Sequence, residues 1–226
     1  SVPVPADPRL PRSGGYVIED LYDIKPTSFG NTVNFIARAS KYGSPANYWH
    51  GVDVQVNARL RGGVTVQGGT STGRIVNDTC DLAIDNPSQY DCHKVYPFQT
   101  DIRGMAIYTV PKIDVLLSGT MQSRPGPEIL AQYNVPASVI AQSLGRLPSG
   151  SVANIQTNIL TAGELYGDRI TQVDMRIAKL LRFGRTRANI GLDIYNLFNS
   201  NVPLTYVTTY GATWGRPQSG VDARFA

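Results

Sequence analysis

The chain has 226 residues, of which 42% are apolar and 17% charged, with a net charge of +4. This composition is typical of an ordered protein, although soluble domains usually carry about 25% charged residues. The basic residues are scattered over separate segments, which gives little support to nucleic-acid binding. No apolar run reaches about 18 residues, so no transmembrane helix is predicted, and the first residues lack the basic start and apolar stretch of a secretory signal.

The chain is predicted to be an all-β protein. Residues 1–15 are rich in proline and are expected to form a loop or a truncated end. From residue 16 onward, apolar and polar residues alternate, most clearly at Val52–Leu60, where every even position is apolar. The predicted strands are 16–24, 31–39, 48–60, 64–75, 98–110, 113–123, 168–181 and 186–198, and a ninth begins at 221–226.

The connections between these strands alternate in length. Those after the odd strands are short, whereas those after the even strands have about 8, 22, 43 and 18 residues. Helix-like patches at 127–132 and 137–144 predict that part of the 124–166 insertion is helical. Odd and even connections of an antiparallel meander lie at opposite ends, so one end is predicted to carry tight turns and the other long loops. Bacterial outer-membrane barrels have this asymmetry, although a soluble sandwich can show it by accident.

The alternation gives the predicted sheet one apolar and one polar face. Solvent exposure explains the polar face, and so does the hydrated lumen of a wide barrel whose apolar face meets lipid. Aromatic residues near strand ends (Tyr48, Trp49, Tyr108, Tyr166, Tyr195 and Phe198) fit an aromatic girdle, although aromatics are common in strands generally. The candidate lumen-facing residues are Asp53, Gln55, Asn57, Arg59, Asp101, Arg103, Asp174, Arg176 and Asp193.

The sequence contains little that supports catalysis or metal binding. Cys80 and Cys92 lie in a polar, turn-rich stretch, which favours a loop disulfide in an oxidising compartment over two free thiols. Four aspartates of the same stretch lack the regular spacing of a calcium loop, so a solvated acidic loop is favoured: Asp78, Asp81, Asp85 and Asp91. His50 and His93 are the only histidines, and neither has metal-ligand spacing with another histidine. No enzyme activity and no cofactor are predicted.

Two neighbouring segments resemble the last strands of TonB-dependent outer-membrane receptors. The first, Asp174-Met175-Arg176-Ile177-Ala178-Lys179, matches a D-x-R-x-x-K strand, and the second ends in Asn196-Leu197-Phe198-Asn199, the most specific part of the match. Residues 48–74 look like the large members that carry a carboxypeptidase-regulatory-like N-terminal domain. The resemblance covers residues 16–226.

The resemblance implies a piece of a large transmembrane β-barrel in the bacterial outer membrane. Family members have about 22 strands around an N-terminal plug, which a TonB complex energises. The chain is expected to hold about nine antiparallel strands from the C-terminal part, with long extracellular loops, short periplasmic turns and a final strand cut short. The plug and the TonB complex are expected to lie outside this chain. The implied function is active uptake of an unidentified ligand, which is expected to contact the loops around 76–97, 124–166 and 199–216.

Two alternatives stay open at this stage. A small structural or adhesive outer-membrane barrel predicts a complete chain in which the first strand pairs with the eighth. A secreted carbohydrate-binding β-sandwich predicts apolar faces packed on each other and a monodisperse protein without detergent.

Overall fold

A computed structural model describes residues 1–34, 36–83 and 88–226. Within them the chain is mostly β. The strands are β1 (Val2–Pro3), β2 (Val17–Ile18), β3 (Ala46–Leu60), β4 (Val64–Asp78), β5 (His93–Val95), β6 (Gln99–Val110), β7 (Val115–Arg124), β8 (Gln132–Pro136), β9 (Asn154–Asn158), β10 (Ile170–Phe183), β11 (Thr186–Ile194), β12 (Pro203–Tyr206) and β13 (Pro217–Gly220). The α-helices are α1 (Gln89–Cys92) and α2 (Ala137–Leu144), and the described connections contain five short 3₁₀ helices: Pro11–Ser13, Pro26–Ser28, Ala39–Lys41, Cys80–Leu82 and Ser149–Ser151.

The main sheet is an antiparallel meander of the six long strands. Their order is β11-β10-β7-β6-β4-β3, and the short β5 adds to the end of β4. Strands β3 and β11 are the two edges, and in the described part of the chain they pair with no further long strand. The described residues therefore form an open sheet and no closed barrel. The eight-strand barrel that closes on itself is not what the chain forms here.

The predicted difference between the two ends of the sheet is confirmed. At one end the hairpins turn within a few residues, helped by Gly62 and Gly63, whose φ angles are +89° and +88°. Glycine reaches this left-handed region without the steric cost that a Cβ imposes. The other two short turns follow β6 and β10. All longer connections and the segment before β3 lie at the opposite end.

Two predicted strands are wrong. Of residues 16–24 only Val17–Ile18 is a strand, and it pairs with Val2–Pro3 instead of joining the main sheet. The carbonyl of Ile24, at the end of this segment, accepts hydrogen bonds from side chains and not from a neighbouring strand, because Arg146 and Ser149 both donate to it. The prediction for 31–39 includes Phe35, which lies outside the described residues, and its described neighbours form no strand. Alternation alone does not form a strand when no neighbouring strand accepts its backbone hydrogen bonds.

The remaining strand boundaries are confirmed within a few residues, and the long connections contain more structure than predicted. Helix α2 confirms the helical patch at 137–144, whereas 127–132 is extended, because Ile129 donates to the carbonyl of Leu165. Strands β8 and β9 pair with each other inside the same insertion. The segment at 221–226 contributes one bridge, between Tyr195 and Phe225.

The best-packed apolar cluster lies in the long connections and not between the faces of the sheet. Three segments form it: residues 1–34, 125–169 and 195–226, here called the loop layer. Trp214 anchors the cluster by donating from Nε1 to the carbonyl of Leu130 at 2.8 Å. Its buried members are Val4, Leu10, Ile18, Ile129, Ala131, Ile159, Leu160 and Trp214. The first fifteen residues are thus part of an ordered core.

None of the described helices is both long enough and apolar enough to span a membrane.

Candidate functional site

All candidate lumen-facing residues lie on one face of the main sheet. Side chains of neighbouring strands that stand opposite each other share a face. In the register, Asp53 is opposite Ser71, which is opposite Asp101. A second row of opposed residues runs across the sheet from Arg59 to Arg176 and Asp193, so these three also share that face. The others share this parity: Gln55, Asn57, Arg103 and Asp174. This face is called the polar face below.

Some charges of the polar face neutralise each other and others do not. Asp101 accepts from Nε of Arg103 at 3.0 Å, and Asp193 accepts from Nη1 of Arg176 at 2.9 Å. Asp53 and Arg59 form no salt bridge within the described residues. The face is therefore a mixed-charge surface on which two ion pairs are preformed.

A groove of about 560 Å³ runs along the polar face over β3, β4 and β6. Asp53, Asn57 and Arg103 line it, and Gly69 lies at its centre. A Cβ on Gly69 would lie 2.5 Å from the carbonyl oxygen of Val54, so only glycine lets the two backbones approach this closely. The groove is lined by positively and negatively charged side chains. The described residues contain no metal-binding cluster.

The opposite face of the sheet is apolar and uncovered. Val52 is 66% exposed at one edge strand, and Ile190 is 64% exposed at the other. Other large apolar side chains are exposed on the same face: Val54, Val56, Leu60, Ile102, Leu117, Met121, Ile177 and Leu192. Monomeric soluble proteins rarely expose a contiguous apolar surface across a whole sheet. This face is called the apolar face below.

Aromatic residues at the strand ends divide between the two faces. Tyr48 and Tyr108 belong to the apolar face, as a girdle requires, whereas Trp49 belongs to the polar face. Tyr166, Tyr195 and Phe198 lie outside the strands. The six aromatics therefore do not form a single girdle.

The two segments that carry the family resemblance are joined by hydrogen bonds. The Oδ1 atom of Asp174 accepts from the backbone N–H of Asn196 at 2.8 Å. The Asn196 side chain is buried, donates to the carbonyls of Ser200 and Asp222, and accepts from the N–H of Ser200. Asn196 therefore ties β10, the turn after β11 and the final segment together. Asn199 adds a bond from the N–H of Arg224.

A disulfide between Cys80 and Cys92 closes the loop that these two residues bound, here called the cysteine loop, as predicted. The nearby carboxylates are engaged with the loop itself. Asp78 accepts from the backbone N–H of Cys80 and lies 2.8 Å from Nδ1 of His93, which together lower the pKa of Asp78. Asp81 accepts from the N–H of Ser44, whereas Asp85 lies outside the described residues. Asp78 and Asp81 thus help to hold the loop, and the described residues contain no group of acidic, histidine or cysteine side chains that could hold a metal ion.

A second recess lies where the polar face meets the loops, and the sequence pattern gave no indication of it. Its volume is about 340 Å³, and Trp49, Tyr96, Tyr166 and Glu128 line it. These four residues are called the aromatic recess. Burial, and then the charge of Glu128, raise the pKa of Tyr166 to about 12. Burial and the charge of Glu128 also raise the pKa of Tyr96.

In the loop layer, a buried carboxylate fastens the N-terminal segment to the C-terminal one. Asp7 accepts three hydrogen bonds from the Arg9 guanidinium and one from the Tyr210 hydroxyl at 3.0 Å. Arg9 also donates to the carbonyl of Gly211 and lies over the ring of Trp214. The hydrogen bonds from Arg9 hold the pKa of Asp7 well below its usual range.

This shift predicts an acid sensitivity of the loop layer. A carboxylate whose folded pKa is depressed contributes stability above its unfolded pKa, near 4, and that stability is lost as the pH falls further. We expect the melting temperature of the loop layer, measured by near-ultraviolet circular dichroism, to fall as the pH drops below about 4. Asp7→Asn should flatten this dependence, while Asp20→Asn, an exposed control, should leave it unchanged. An equal pH slope in both variants would argue against Asp7.

Comparison with protein-family models, curated proteins and solved structures finds no match for this chain.

Proposed function

We propose that this chain is the C-terminal part of the barrel of a TonB-dependent transporter, which takes up a ligand across the bacterial outer membrane. The observation that carries the proposal is the two-faced open sheet. Each large apolar side chain left in water forgoes about 1.5–3 kcal/mol of burial. Contact with lipid would remove this cost for an apolar face that spans six strands, and a hydrated lumen would solvate the polar face opposite it.

Strand length and sheet edges support the same assignment. A tilted strand crosses a bilayer with about 9–11 residues, and the long strands here have 9 to 15. Unpaired edge groups are costly in lipid, so β3 and β11 require further strands, as a larger barrel supplies. Those strands, the plug and the TonB complex are the partners that the family resemblance implies.

The arrangement of the connections supports a receptor function at one end of the barrel. The loop layer, the cysteine loop and the aromatic recess all lie at the end of the long connections, which in outer-membrane barrels is extracellular. A ligand would bind there first and pass along the polar face when the plug moves. The mechanism is conformational and needs no catalytic residue, cofactor or nucleic acid.

Site-directed spin labelling along β3 tests the membrane assignment. Single cysteines at positions 52–59 of the protein from its complete reading frame, folded in phospholipid vesicles, would each carry a nitroxide. We expect even positions to be accessible to oxygen from the lipid and odd positions to a water-soluble nickel complex. A β-sandwich would instead stay in solution without lipid and show no lipid contact at even positions.

A small structural barrel would give the same alternation, so uptake distinguishes it from a transporter. Cells that carry the protein should accumulate ligand only while the inner membrane is energised. Permeation that persists after the proton gradient is collapsed would contradict the transporter and favour the small barrel.

A further inference from the structure

We propose that the aromatic recess binds a small organic cation, specifically a substituted ammonium group. This inference names a ligand class for the proposed uptake function and in that respect rests on it. The binding itself depends on the recess and can be measured on the purified protein without transport.

The first argument is the way in which Trp49 is placed. Gly51 and Gly73 stand opposite each other in the β3–β4 ladder, and the indole lies across both. A Cβ on either glycine would lie 2.3 Å from the ring. Two residues without side chains thus let a large ring lie flat on the polar face, where it stays 44% exposed. Trp49 also lines the recess.

The second argument is that further rings gather beside this one. Tyr96 and Tyr166 converge on Gly163, since a Cβ there would lie 3.1 Å from Cδ1 of Tyr96 and 2.9 Å from the Tyr166 hydroxyl. Because Gly163 has no Cβ, both tyrosines approach its backbone this closely. Cations are attracted to the faces of aromatic rings, most strongly to tryptophan, and groups of such rings recognise quaternary ammonium ligands.

The third argument is the charge of Glu128. Its Oε1 accepts from the N–H of Gly163 at 2.7 Å, and within the described residues it forms no salt bridge. Of the other charged residues that line the recess, Asp101 pairs with Arg103, whereas the Arg74 guanidinium lies over the ring of Phe98 and keeps a buried Nε without a hydrogen-bond partner among the described residues. A partly buried carboxylate without a cation, next to three aromatic rings, is the complement of an ammonium group.

A matched pair of probes tests this inference. Choline and its uncharged isostere 3,3-dimethyl-1-butanol have nearly the same shape, so their difference in affinity isolates the charge. We expect isothermal titration calorimetry of the full protein in detergent to show choline binding at least about fivefold tighter than the alcohol. Equal affinities for the two probes would overturn the proposal.

Two variants with matched controls locate the binding. Glu128→Gln keeps the acceptor for Gly163 but removes the charge, and it should weaken choline binding at least about fivefold. Glu19→Gln, at an exposed carboxylate, should not. If Glu128→Gln loses its near-ultraviolet spectrum, Trp49→Leu decides, with Tyr48→Leu as its control, because Tyr48 is equally exposed on the opposite face.

Two results would contradict the proposed ligand class. Unchanged choline binding in both Glu128→Gln and Trp49→Leu would remove the recess as the site. Tighter binding of glucose than of choline, lost in Trp49→Leu, would make the recess a sugar-stacking site. Spin labelling in vesicles needs no ligand, so the loss of this inference would be distinguishable from the loss of the membrane assignment.

Discussion

Val54→Arg is expected to destabilise the protein in lipid by about 2–4 kcal/mol, the cost of arginine on the lipid face of a barrel near the bilayer midplane. Val54 lies near the middle of β3, which runs Ala46–Leu60, and it stands opposite Thr70 on the apolar face. Among the described residues, no acidic side chain shares this part of the face, so the guanidinium would have no partner there. The measurement is the free energy of unfolding by urea in phospholipid vesicles.

The adjacent residue provides the control. Gln55 occupies the same depth but lies on the polar face, within the groove that Asp53 and Asp101 also line. We expect Gln55→Arg to change the unfolding free energy by less than about 1 kcal/mol, because the new charge meets water and carboxylates. If both arginines cost the same, both faces meet the same medium and the membrane assignment is wrong. If neither variant needs lipid to fold, the sandwich is favoured.

The main sheet was predictable because its signal is local. Alternation at period two in Val52–Leu60 and in 168–181 identifies strands, and the register then follows from the short turns, which leave little freedom in pairing. Once neighbouring strands pair in this way, all residues of one parity share a face. The polar face could therefore be assigned from odd and even positions before the register was known.

The loop layer and the aromatic recess were not predictable in this way. Residues 16–24 alternate like a strand, but the bonds from Arg146 and Ser149 to Ile24 depend on a segment more than a hundred residues away. The position of Trp49 near a strand end predicts a girdle residue. Its role depends on the glycines at 51 and 73, which become neighbours only through the β3–β4 ladder. Contacts between segments that are far apart in the chain produce no periodic pattern of apolar residues, so the sequence pattern does not predict them.

Asn196→Ala is the second substitution with a large expected effect, about 3 kcal/mol of unfolding free energy. The side chain is 2% exposed and forms three hydrogen bonds, two to Ser200 and one to Asp222. Alanine loses all three and leaves backbone groups without partners, each of which costs about 1–3 kcal/mol when buried. The φ of +51° adds to the loss, because asparagine adopts this region more readily than alanine. Chemical denaturation measures the change.

Asn189→Ala is the matched control, because Asn189 is an exposed asparagine of β11, and its loss should change stability by less than about 0.5 kcal/mol. A second measurement separates the loss of the Asn196 contacts from a general weakening of the sheet. Since Asn196 holds the carbonyl of Asp222, limited proteolysis should cut residues 199–226 of Asn196→Ala before any site in β10. Simultaneous cleavage of both regions would mean that Asn196 stabilises the sheet as a whole. Equal stability of the two variants would leave the Asn196-Leu197-Phe198-Asn199 segment without the structural role that its hydrogen bonds indicate.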